Sequence, residues 1–193
     1  MSASDRRSES SSTGSRLRRE ADRNVAPPLC DELAAQVVNA TSVEMNTKVI
    51  SPLYLPAEVS RRMTEDAVRA YPNECCGILF GRDESRGRII DRLQPVQNVV
   101  AADQRVRRFA IEPLVLMRAE REAADARLAV IGFYHSHPDH PARPSAHDRE
   151  KAWPFYSYII ISVQKGDAVD VTSWVLDDET RTFQRQDIVE AVD

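Results

Sequence analysis

The chain has 193 residues, 42% hydrophobic and 29% charged, with a formal net charge of -4. That length and balance suit one globular domain with a sizeable core, and a mildly acidic balance gives no support for nucleic-acid binding, which would want a basic face. No apolar run reaches membrane-span length and no signal-peptide core opens the chain; three cysteines, Cys75 and Cys76 vicinal, give no disulfide framework, so a cytoplasmic protein is expected.

Residues 1–48 read as a disordered extension. Ser2, Ser4, Ser8, Ser10, Ser11, Ser12 and Ser15 interleave with Arg6, Arg7, Arg16, Arg18, Arg19 and Arg23. Such a stretch buries too little apolar surface to offset its ordering entropy. Asp31–Val38 can form a brief helix, with nothing beside it to pack against. Met45, just ahead of the ordered pattern, is a candidate initiator, and the folded domain is expected over 49–193.

Pro56-Ala57-Glu58 predicts a helix start, with proline in the first turn. Val59, Met63, Ala67 and Val68 fall on one face, and Tyr71-Pro72-Asn73 ends the helix. Glu74-Cys75-Cys76-Gly77-Ile78-Leu79-Phe80-Gly81 reads as an interior strand, apolar on both faces. By position alone Glu74 is a solvated loop-end carboxylate, although one beside a buried strand calls for a partner or a task. Arg88–Val96 and Arg107–Ile111 read as strands with a loop over Asn98–Val106 between them. A second helix runs from Glu112-Pro113 to about Ala126, and Leu128–Ile131 is a buried strand ending at Gly132. Tyr158–Val163, Val169–Leu176 and Thr182–Ile188, joined by polar turns, predict a terminal antiparallel meander. The order implies an α/β (α+β) domain, a mixed sheet with helices packed on it.

The stretch Gly132-Phe133-Tyr134-His135-Ser136-His137-Pro138, continuing through Pro144-Ser145-Ala146-His147-Asp148, holds the chemistry. All four histidines, His135, His137, His140 and His147, lie in or beside it. In an extended chain, side chains at i and i+2 point the same way, so His135 and His137 aim at one place. Asp148, on the first turn of a short helix, can add an anionic third ligand. Two histidines and a carboxylate leave a coordination position free, the mark of catalytic rather than structural zinc sites. These residues therefore point to a metal-dependent hydrolase. Ser145 and Asp148 also fit a capping box, which needs no metal.

His135-x-His137-x7-Ser145-x-x-Asp148, with the upstream block Glu74-Cys75-Cys76-Gly77-Ile78-Leu79-Phe80-Gly81, resembles the JAMM (MPN+) metalloprotease family over about residues 49–190. The resemblance implies a curved, mostly antiparallel sheet flanked by helices, related in outline to the cytidine deaminase fold. It implies one zinc ion held by His135, His137 and Asp148, with Glu74 as the acid/base and Ser145 as an aid to the oxyanion. His140 and His147 then become bystanders or outer donors, and Ser136 a support for the loop. Short of insertions and of further His or Cys for a second metal, the chain is similar to minimal bacterial members. The implied substrate is a small ubiquitin-like sulfur-carrier protein from which a C-terminal amino acid such as cysteine is released. An isopeptidase acting on modified lysine and a non-catalytic MPN scaffold are the alternatives. The string His135-Ser136-His137-Pro138-Asp139-His140 also spells the metallo-β-lactamase signature, but no later histidine completes that site. The Pro-Cys-x-x-Cys block of cytidine deaminases is absent. A substrate tail is expected to add as a strand along Arg105-Val106-Arg107-Arg108-Phe109.

Overall fold

A computed structural model describes residues 49–191. The expected N-terminal extension, the short helix over Asp31–Val38 and Met45 lie outside them. In chain order the elements are β1 (Leu53–Pro56), α1 (Ala57–Ala70), β2 (Cys76–Glu84), β3 (Gly87–Val96), α2 (Pro113–Asp125), β4 (Ala129–Pro138), α3 (Ala146–Lys151), β5 (Ser157–Gln164), β6 (Asp167–Leu176), β7 (Phe183–Gln186) and β8 (Ile188–Ala191). The strands form one mixed sheet in the order β7-β6-β5-β4-β2-β3-β1-β8. Pairs β4–β5, β1–β3 and β1–β8 are parallel, and the remaining pairs are antiparallel.

The expected curvature follows from one connection. β7 and β8 stand at opposite edges of the sheet, yet only Asp187 separates them in sequence. A single residue cannot span a flat eight-strand sheet, whose neighbours lie about 4.8 Å apart. The sheet must curl until its edges approach, and it becomes nearly barrel-like. Gln186 Nε2 donates to Ser51 O at 2.8 Å, and Leu53 N donates to Asp187 O at 2.8 Å, fastening that closure.

Strand alternation divides the core between two faces. Leu79 of β2 joins Ile131, Tyr134, Ile159, Ile161 and Val163 against Val59, Met63 and Ala67 of α1. Its neighbours Ile78 and Phe80 turn to the opposite face, where they meet Ala119 and Ala123 of α2. The interior position of β2, between β3 and β4, is as expected from its sequence. The first helix differs in one residue. Val59, Met63 and Ala67 are buried, whereas Val68 is 41% exposed, about 100° further round the helix from Ala67.

Other expectations are corrected. Gly132 does not end its strand: β4 continues to Pro138 and carries both histidines. Gly132 permits a close approach instead, since a Cβ there would stand 2.2 Å from Ser157 O on β5. Thr182–Ile188 is not one strand but two, β7 and β8, parted at Asp187. β1 was not anticipated, being too short for a periodic signal. Arg107–Ile111 forms no strand. Its backbone is engaged locally: Arg105 O accepts from Glu74 N, Arg108 O from the Asn98 side chain, and Ala110 O from Val99 N. The edge expected to receive a substrate strand along Arg105–Phe109 is thus already partly spent.

Candidate metal centre and active site

β4 positions the two histidines. Tyr134 and Ser136 point to the α1 side, where Tyr134 Oη donates to Asp66 at 2.9 Å. His135 and His137 take the other side, at the end of β4 beyond the cluster beneath α2. Pairing to β2 (His135 with Cys76) and to β5 (His135 with Ile160, His137 with Ser162) fixes both backbones. Their Nε2 atoms stand 3.0 Å apart.

Asp148 arrives from α3. Ser145 is the N-cap: its Oγ accepts from Asp148 N at 3.1 Å, while Asp148 Oδ2 accepts from Ser145 N at 2.6 Å. This capping box orients the carboxylate, which places Oδ1 at 3.5 Å from His135 Nε2 and Oδ2 at 3.5 Å from His137 Nε2. The capping and ligand readings of Asp148 are therefore compatible. So are the capping and donor readings of Ser145, because a hydroxyl accepts through a lone pair and keeps its proton free to donate.

The cluster fits a small divalent cation. One ligand atom each from His135, His137 and Asp148 lie within 4.8 Å of one another. Tetrahedral bonds of about 2.0–2.1 Å would set ligand atoms about 3.3 Å apart, against the 3.0 and 3.5 Å found. At His137, Nδ1 lies 2.9 Å from Pro141 O. A carbonyl only accepts, so Nδ1 carries the proton and Nε2 turns its lone pair to the cluster. His135 is fully buried with no hydrogen-bond partner for Nδ1 among the described residues, and its ring stacks on Phe109 at 4.5 Å between centroids.

Burial and charge set the protonation pattern. Burial holds His135 below the usual imidazole range. Burial opposes charge on His137 too, but Asp148 and the Pro141 carbonyl outweigh it and raise its pKa. Burial would also raise Asp148, yet the two imidazoles and the Ser145 side chain draw it well below the carboxylate range. Glu74 behaves oppositely. Burial lifts it to about 8, with His137 opposing and Asp148 adding to the rise.

Glu74 is not the solvated loop-end carboxylate that its position suggested. It is 6% exposed, and among the described residues no side chain hydrogen-bonds its carboxyl. It lines one cleft of about 480 Å³ with His137, His140, Ser145 and His147. Strand pairing brings it there: β2 starts beside the end of β4, and Cys75 N donates to Ser136 Oγ at 2.9 Å. Ser136 therefore steadies the approach to Glu74. His140 supplies its carbonyl to Ser162 Oγ at 2.7 Å, and its ring lies outside the three-residue cluster.

Two contributors were not legible as such. Phe109 reaches the site only through the segment between β3 and α2. Asn98 clasps that segment: Nδ2 donates to Glu74 O at 3.2 Å and Arg108 O at 2.9 Å, and Oδ1 accepts from Val100 N at 3.1 Å and Ala110 N at 3.2 Å. An asparagine after an apolar strand signals a turn, but not which backbone it will hold. Asn98→Ala removes all four bonds and is expected to lower stability by about 2–3 kcal/mol. Urea denaturation checks this, and a midpoint unchanged from wild type would deny Asn98 the role of clasp.

Comparison with known proteins agrees with this geometry. The family model described as prokaryotic homologs of the JAB domain matches residues 56–177. A protein named desampylase from Haloferax volcanii is 41% identical over 102 residues, covering 51% of this chain and 68% of the relative. One named probable TtuB-protein conjugate cleaving protease, from Thermus thermophilus, is 30% identical over 108 residues, covering 56% and 68%. Among solved structures, a solution structure of a protein from Desulfitobacterium hafniense superposes with a TM-score of 0.63 at 30% identity, covering 73% of this chain and 94% of that one.

Proposed function

The chain belongs to the family of prokaryotic homologs of the JAB domain, and on that premise we propose that it is a zinc-dependent peptidase. It cleaves after the C-terminal glycine of a small ubiquitin-like sulfur-carrier protein and releases an amino acid such as cysteine. Residues 49–193 form the catalytic domain and 1–48 an extension to it. The observation that carries this reading is the buried meeting of His135, His137 and Asp148 beside the Glu74 carboxyl, itself buried and without a hydrogen-bonding side chain among the described residues.

His135, His137 and Asp148 are the zinc ligands. Bound there, zinc supplies Lewis acidity towards a carbonyl and a water. Glu74 is the general base and then the general acid. Its carboxylate takes a proton from the attacking water and returns it to the nitrogen of the leaving amine. A pKa lifted to about 8 by burial suits both halves of that task, because the proton is neither too readily lost nor too tightly held. Ser145, its lone pair engaged by Asp148 N, keeps its O–H to donate to the oxygen that gains charge. Asn98 and Phe109 position the segment that closes over His135.

The second reading is an isopeptidase that removes the ubiquitin-like protein from lysine. The name of the Thermus thermophilus relative, a conjugate cleaving protease, favours it. The two separate on intact mass. The zinc-loaded protein is incubated with a bacterial ubiquitin-like protein carrying one C-terminal cysteine, and with the same protein joined to a lysine side chain. Cysteine release is expected. Cleavage of the lysine conjugate alone would install the second reading, and inertness towards both would remove the substrate assignment.

A further inference from the structure

The walls of the cleft above Glu74 and His137 are basic. Arg107 and Arg108 come from the segment Asn98 clasps, and Arg143 from the loop between β4 and α3. All three are exposed, and Glu74 is the one acidic residue lining that cleft. Some arginines elsewhere are paired with carboxylates, Arg61 with Glu58, Arg82 with Asp91, Arg88 with Asp83 and Arg92 with Glu122. Those of the cleft are not. Among the described residues, the guanidinium groups of Arg107 and Arg143 have neither a carboxylate nor a hydrogen-bond partner, and Arg108 reaches only Gln104 Oε1 at 3.2 Å. Asp148 is committed to the histidines and Ser145, and Asp103, which lines a separate cavity with Arg107 and Arg108, forms no ion pair with either.

Resting on the peptidase reading above, we propose that Arg107 and Arg143 form a receptor for a free α-carboxylate on the leaving group. A guanidinium presents a planar fork that fits a carboxylate and no other common group at a peptide terminus. In a terminal amino acid the carboxylate is one carbon removed from the scissile nitrogen, so a group held at the catalytic atoms places it within the cleft. A lysine side chain places methylenes there and no anion. The receptor thus selects a C-terminal amino acid over an isopeptide. The acid/base residue and the metal ligands are untouched by it, so Arg107 and Arg143 set specificity and take no part in the chemistry.

The probe is acetyl-Gly-Gly-Ala, prepared as the free acid and as the primary amide, titrated into the metal-free protein by NMR so that no turnover intervenes. The acid is expected to bind about tenfold more tightly than the amide, the scale of one charge-assisted hydrogen bond. In the double variant Arg107→Gln/Arg143→Gln the acid should fall to the affinity of the amide, with the amide unchanged. Each single variant, read alone, should lose part of the difference. Equal binding of acid and amide by the wild type overturns the receptor. So does an equal loss of both in the double variant, which would show the arginines reading the glycine tail. No binding of the acid overturns it as well. These outcomes leave the peptidase reading standing wherever the carrier–cysteine adduct is still cleaved. Failure of that cleavage removes the peptidase reading itself.

Discussion

Metal analysis of the purified protein is expected to give about one zinc per chain, and His135→Ala, His137→Ala or Asp148→Asn to abolish it. Each substitution removes one of three ligand groups that converge within 4.8 Å, an imidazole or the anionic carboxylate. The expected loss of affinity exceeds the roughly hundredfold cost of losing an outer-shell partner, because a direct bond to the metal is gone. Asp148→Asn is the most informative of the three. Asparagine retains an amide oxygen that can accept from Ser145 N, so the capping box and α3 persist while the anion is lost. Zinc should therefore raise the melting temperature of the wild type and not that of Asp148→Asn, since a ligand stabilises only the state that binds it. A full zinc complement in all three variants would place the metal elsewhere.

Glu74→Gln should keep zinc and lose about a hundredfold or more of the hydrolysis rate, the scale of a general acid–base contribution. The amide preserves volume and abolishes proton transfer, so metal content and turnover part company in this variant alone. The substitution also has a signature in stability. Glu74 titrates at about 8 in the folded metal-free protein, against an ordinary value of 4.5. Between those values the unfolded chain has released the proton and the folded chain still holds it. Stability of the metal-free wild type accordingly falls as pH rises from 4.5 towards about 8, and Glu74→Gln lacks that fall. The variant should match the wild type near pH 4 and exceed it near pH 8, by on the order of a few kcal/mol. Thermal unfolding across that range measures the gap. Undiminished activity in the variant would leave Glu74 a buried carboxyl without a catalytic task, whatever its effect on stability.

Much of the site was legible in the sequence because its geometry is local. Alternation along a strand puts His135 and His137 on one side whatever the rest of the chain does. A capping box likewise joins Ser145 to Asp148 across three residues, and the chain finds both arrangements without long-range help. The burial of β2 was written in its unbroken apolar run, and the second helix in its Glu112-Pro113 start.

Tertiary structure decided the rest, through contacts between segments far apart in the chain. Glu74 is sixty-three residues from His137 and shares a cleft with it only because β2 pairs with β4. No local preference encodes that pairing, which is why position alone placed Glu74 in solvent. Arg107–Ile111 has the composition of a strand, yet its hydrogen bonds go to Asn98 and to neighbouring turns, so no ladder forms. β1 and β8 are each four residues long, too short to announce themselves, and exist because each supplies the other's edge as the sheet curls closed. The sequence by itself determined which side chains can hold a metal, since backbone periodicity fixes their direction. Which carboxylate, ring and arginines surround that cluster was settled only by strand pairing and sheet closure, where backbone hydrogen bonds and buried apolar surface outweigh the preferences of any single segment.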